Sequence, residues 1–148
     1  MRFLKVMLVS SFLTASFSTI AQAVSLPPAT CPAVNAIQHA GLLGVMEEKS
    51  YQVYAVYQIS KYTTPETWGF VIAVPINQAT SKADAMNKAK AALPSLNGTP
   101  EPMPTDASNR QWYCLYDNDY QYIAAAFTPL MADAMINDIL KASNARLP

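Results

Sequence analysis

The chain has 148 residues, with ten Lys and Arg against ten Asp and Glu, one histidine, two cysteines and 51% hydrophobic residues. That length suits one domain with a single core. The charge balance supplies no basic surface for nucleic acid or for an anionic membrane, and one histidine with two cysteines and no C-x-x-C argues against a metal site.

Residues 1–23 read as a cleaved signal peptide. Arg2 and Lys5 give a positive start, Val6 to Phe17 an apolar centre, and Ala21-Gln22-Ala23 the small residues that signal peptidase reads. A membrane anchor is the rival reading. The uncharged run Val6–Ala23 sits at the low edge of spanning length, is diluted by seven Ser, Thr and Gln residues, and has no basic cluster after it. The expected product is a single domain over residues 24–148, periplasmic or secreted, without membrane association after processing. Loss of Arg2 and Lys5 leaves eight cations against ten carboxylates, a formal charge of −2.

In that compartment an even cysteine pair means one disulfide, Cys31–Cys114. Beside it, Thr30 is a candidate cap and Pro32 a first-turn residue for a short helix with Val34, Ile37 and Gly41/Leu42 at helical spacing. Gly41 and Gly44 break it, and Leu43–Glu47 is a short candidate strand. Ser50–Lys61 is the clearest strand, with Tyr51, Val53, Ala55, Tyr57 and Ile59 on one face. After a Thr63–Glu66 turn, a second strand over Thr67–Ile76 sets Trp68, Phe70, Ile72, Val74 and Ile76 against Gly69, Val71 and Ala73, and Pro75 marks its end or an edge.

Ser81 or Thr80 caps an alanine-rich helix that runs to about Leu93, with Asp84 in its first turn. Asn97–Asn109, with three prolines and no apolar period, reads as a surface loop. Its Asn97-Gly98-Thr99 sequon is a chance-prone match. Gln111–Tyr116 and Tyr120–Phe127 form a hairpin around Asp117-Asn118-Asp119, and Thr128-Pro129 starts a last helix to about Ala142. These elements predict an α+β single domain with a mainly antiparallel sheet of four to five strands, three helices and one disulfide.

All eight tyrosines fall in two strand windows, Tyr51, Tyr54, Tyr57 and Tyr62, then Tyr113, Tyr116, Tyr120 and Tyr122. Strand propensity and a half-wet sheet face account for part of this clustering. A binding platform for a flat ligand or a protein partner is the sharper account. With a two-residue loop, Tyr113, Leu115, Tyr120 and Tyr122 share a face, and Trp112, Cys114, Tyr116, Ile123 and Phe127 share the core side. A three-residue loop instead moves Tyr120 and Tyr122 beside Trp112, Cys114 and Tyr116. The two-residue loop is favoured because it buries Ile123 and Phe127 beside Cys114.

Catalysis has little support. His39 lies near no patterned serine or aspartate, Glu47-Glu48 would point apart, and Asp117-Asn118-Asp119 lacks the later ligands of a calcium loop. No catalytic residue and no metal ligand is assigned, and a cryptic hydrolase around His39 is the minority reading.

Cys31-Pro32, Gly41-Leu42 and Trp112-Tyr113-Cys114-Leu115-Tyr116 resemble the recurring pieces of a small family of exported proteins from intracellular Gram-negative bacteria. The likeness covers most of the mature chain. That family is a domain of unknown function in which some members bear a hemin-binding label, so the resemblance implies hemin as the candidate cofactor. Tyrosinate and histidine both ligate ferric haem. Tyr116 and Tyr120 have a Tyr-x-x-x-Tyr spacing, but Asp117-Asn118 turns the chain between them. The expected ligand-binding set is Tyr113, Tyr116, Tyr120, Tyr122 and His39, in a non-enzymatic binding module for a small flat ligand. A secreted protein-interaction module, an effector or inhibitor, is the alternative.

Overall fold

A computed structural model describes residues 26–105 and 110–130. Its centre is one six-stranded antiparallel sheet in the order β1-β2-β3-β6-β5-β4. The strands are β1 (Gly44–Glu48), β2 (Val53–Ser60), β3 (Trp68–Pro75), β4 (Met103–Pro104), β5 (Trp112–Tyr116) and β6 (Ile123–Thr128), with helices α1 (Val34–Ala40) and α2 (Lys82–Ala92). The fold is α+β, as the order of elements implies. Among the described residues, no helix is long and apolar enough to cross a membrane. The expected signal peptide lies outside the described residues.

Period-two patterning sets the centre of the sheet. Trp68, Phe70, Ile72 and Val74 of β3 all face the helix-covered side, with Val56 of β2 and Cys114, Tyr116, Ala124 and Ala126 of the last hairpin. The opposite face carries Ala55, Val71, Tyr113, Ala125 and Phe127. Gly69 sits under Phe127, where an added Cβ would come within 2.3 Å of the ring. A side chain there would evict one of the largest buried residues of this face.

Helix α2 starts as its sequence indicates. The Ser81 hydroxyl accepts from Asp84 N at 3.1 Å, and Asp84 accepts in turn from Thr80 N at 2.9 Å. The Thr80 N–H, with the Lys88 ammonium beside it, holds the Asp84 carboxyl below its ordinary pKa. The helix buries Ala85, Ala89 and Ala92, a stripe of small side chains that lets it lie close to the sheet. Helix α1 differs from expectation at its start. Ala33 is the N-cap, with no side-chain cap bond, and Thr30 lies outside. Gly41 closes it with φ 72° and donates its N–H to Ile37 O.

The expected four to five strands become six, since β1 takes up the Leu43–Glu47 candidate at one edge and β4, not expected, joins at the other. Residues Met103 and Pro104, inside the proline-rich stretch read as a loop, pair with Tyr113 and Trp112. Two helices stand where three were expected among the described residues. The third was placed from Thr128, but Thr128 closes β6 against Trp112, and residues 131–142 lie outside the described residues.

The favoured hairpin register is overturned. Tyr116 pairs with Ala124, Cys114 with Ala126 and Tyr113 with Phe127, so Ile123 and Phe127 lie on the face opposite Cys114. Asn118 is the cause. Its Oδ1 accepts from Tyr120 N at 3.2 Å and Tyr122 N at 3.1 Å, while its Nδ2 donates to Tyr122 O at 2.6 Å. Gln121 takes the left-handed conformation, φ 58°, that a glycine usually supplies. The loop is thereby lengthened and the parity reversed. Asn118→Ala removes these three bonds from a buried site and is expected to cost about 2–3 kcal/mol in urea unfolding. A loss under about 1 kcal/mol would show that the backbone holds this loop unaided.

Candidate functional site

The four tyrosines of the last hairpin divide between the two faces of the sheet. Tyr113 is buried on the second face with Ala55, Val71, Ala125 and Phe127. Tyr116 and Tyr122 are buried on the helix-covered face. The Tyr116 hydroxyl donates to Pro32 O at 2.6 Å, and its ring meets Phe70 edge-on with centroids 6.0 Å apart. Burial pushes the Tyr116 hydroxyl far above its ordinary pKa, and neighbouring Tyr62 adds to the shift. A ring so placed cannot present a tyrosinate at neutral pH.

Tyr120 alone of the four offers its ring to solvent, at 49% exposure. It stacks on Tyr122 with centroids 5.7 Å apart. His39 is exposed in the last turn of α1. Among the described residues its side chain makes no hydrogen bond or ion pair, and no group of three or more His, Cys, Asp and Glu comes together as a metal cage. The expected set is therefore dispersed. Tyr113 and Tyr116 serve packing and tethering, and Tyr120 and His39 remain as accessible side chains.

A cleft not anticipated from the sequence lies at the start of the domain. One wall is Ala29–Asn35 and the other is Gly98–Pro102, around a volume of about 580 Å³. Both walls are anchored. Cys31 is bonded to Cys114 of β5, and Pro32 is fully buried with its carbonyl held by Tyr116. At the foot of the second wall, Asn97 N donates to Asp117 O at 2.9 Å and Asp117 N returns a bond to Asn97 O at 3.0 Å. Gly98, at φ 116°, turns the chain out of that bridge in a conformation that side chains rarely adopt.

The lining is mostly apolar and stiff. Pro32, Pro100 and Pro102 contribute rings of fixed backbone angle, with Ala29, Ala33 and Val34 beside them. Thr30, Asn35, Thr99 and Glu101 supply the polar groups. An apolar cleft of this size with a few polar groups at hand is suited to holding a small ligand. The sequence concealed it because its walls are remote along the chain and meet only through the disulfide and the Asn97–Asp117 bridge. The available signal was proline density on either side of Cys31 and Gly98.

A family model described as a domain of unknown function, DUF4949, matches residues 30–142. The chain belongs to the DUF4949 family. No curated protein and no solved structure matches it at a significant level. The matched region takes in Cys31, Cys114 and the whole Gly98–Pro102 wall. Within this DUF4949 domain, Cys31-Pro32 and Trp112–Tyr116 have a common structural task, joining the opening segment to β5. The family description names no ligand, so any reading of what the DUF4949 domain binds rests on its residues.

Proposed function

We propose that this DUF4949 chain is an exported, non-enzymatic binding module, acting in the periplasm or outside the cell, that holds a small flat apolar ligand in the proline-walled cleft. Hemin is the named candidate, and since the lining has no Tyr, His or Met and its one cysteine is in the disulfide, the apolar walls would hold it and not a Tyr or His iron ligand from the lining. The observation that carries the reading is the cleft between Ala29–Asn35 and Gly98–Pro102, fixed on one side by the Cys31–Cys114 bond. A preformed wall lowers the ordering cost of binding. A disulfide of this kind persists in oxidising compartments, which supports export.

Hemin titrated into the purified exported protein is expected to quench tryptophan fluorescence and shift the Soret band. Ala33→Trp and Thr99→Trp, which put bulk into the cleft from exposed wall positions, should each weaken binding by about tenfold or more. Tyr120→Phe and His39→Ala should leave the spectrum unchanged. A spectrum altered by Tyr120→Phe or His39→Ala and indifferent to the wall variants would move the site to those side chains. No quenching and no Soret change would remove hemin as the ligand.

A further inference from the structure

Among the described residues, the outer edge of β1 is open. Strand β1 ends the described sheet and there pairs with β2 alone, in the register Gly44↔Tyr57, Met46↔Ala55 and Glu48↔Val53. The Leu43 N–H donates to Tyr57 O, so Tyr57 and its alternate neighbours on β2 turn their backbone groups toward β1. By the alternation of an antiparallel ladder, Gly44, Met46 and Glu48 bond inward, while Val45 and Glu47 direct N–H and C=O away from the sheet. Among the described residues nothing pairs with those groups.

Natural edges are usually blunted by proline, lysine, a bulge or a cover. This one, GVMEE, has no proline or lysine and is bordered by apolar side chains. Leu43 is 74% exposed, Met46 41% and Ile59 45%. Met46 lies on the second face, and Tyr57 covers Gly44 so closely that a Cβ there would meet its ring at 2.4 Å. Glu47 is exposed, and its carboxylate has no cation among the described residues.

We infer that β1 is a docking edge for an extended segment of another protein, which adds as a seventh strand and carries a Lys or Arg across from Glu47 and an apolar residue across from Met46. Main-chain bonds at Val45 and Glu47 would give affinity, and the acidic and apolar side chains would give specificity. Charge decides the occupant. A second copy paired about Met46 would set Glu47 across from another Val45 and leave the two Glu47 carboxylates as diagonal neighbours without a cation, an unfavourable pairing. This inference is independent of the cleft.

The test uses the whole exported protein and two synthetic peptides, one alternating valine with lysine and one alternating valine with glutamate, followed by fluorescence anisotropy. The lysine peptide should bind and the glutamate peptide should not. Glu47→Lys should weaken the lysine peptide by about tenfold or more and admit the glutamate peptide. Val45→Pro removes an outward N–H and spares the inner ladder, so it should weaken binding while circular dichroism and melting stay near wild type. The inference is overturned if both peptides bind alike, if neither binds, or if Val45→Pro has no effect on binding. Concentration-dependent dimerisation that Val45→Pro abolishes would overturn it in favour of a second copy.

Discussion

A Cys31→Ser, Cys114→Ser double variant is expected to lose about 4–5 kcal/mol of unfolding free energy, and to melt some 15 °C lower. The bond closes a loop of 83 residue steps, and in the chain-entropy account a loop of that size restrains the unfolded chain by about 4.5 kcal/mol. Cys114 is fully buried, so a serine hydroxyl there adds a desolvation cost of about 1 kcal/mol or more unless it finds a partner. Urea titrations of the variant, and of the wild type with and without reductant, measure the loss. A change below about 2 kcal/mol would mean that the unfolded chain is already restrained without the bond. The same variant should also weaken hemin binding, since Cys31 fixes one wall of the cleft.

Phe70→Ala should cost about 3–5 kcal/mol. Phe70 is fully buried on β3, between β2 and β6, and its ring meets Tyr116 edge-on. Truncation removes transfer energy and leaves a cavity that a central strand cannot collapse. Because Tyr116 also holds Pro32, the damage should reach the opening segment. A Phe70→Ala, Tyr116→Phe double variant is expected to fall short of the sum of its singles by about 0.5 kcal/mol or more, as contacting residues do. Strict additivity in equilibrium unfolding would separate the core of the sheet from the tether.

The parts of the fold legible in the sequence are those in which a long strand repeats a simple pattern. Strands β2 and β3 show both faces to a period-two reading, and Trp68, Phe70, Ile72 and Val74 fall together as expected. The Cys31–Cys114 bond follows from number and compartment. The last hairpin resisted because one side chain decides it. Asn118 bonds to Tyr120 and Tyr122, and Gln121 accepts a conformation usually left to glycine, neither of which leaves a periodic trace. The edge strand β4, two residues inside a proline-rich stretch, is too short to declare itself and exists through its pairing, whereas β1 falls on the Leu43–Glu47 candidate. The reading of the tyrosines as one platform failed for the same parity reason. Once the register shifts, Tyr122 parts from Tyr113 and joins Tyr116 on the helix-covered face, and Tyr120 is left in the turn.

Under the export proposed above, the long reach of the Cys31–Cys114 bond would set a schedule for its closure. Cys31 emerges early and its partner late, after the sequence of β1 to β4 has already passed. Until then the first thiol has no disulfide partner within its own molecule, since the chain has only two cysteines. The bond would thus close only once the sequence of β5 is through, which makes it a late step of the proposed export.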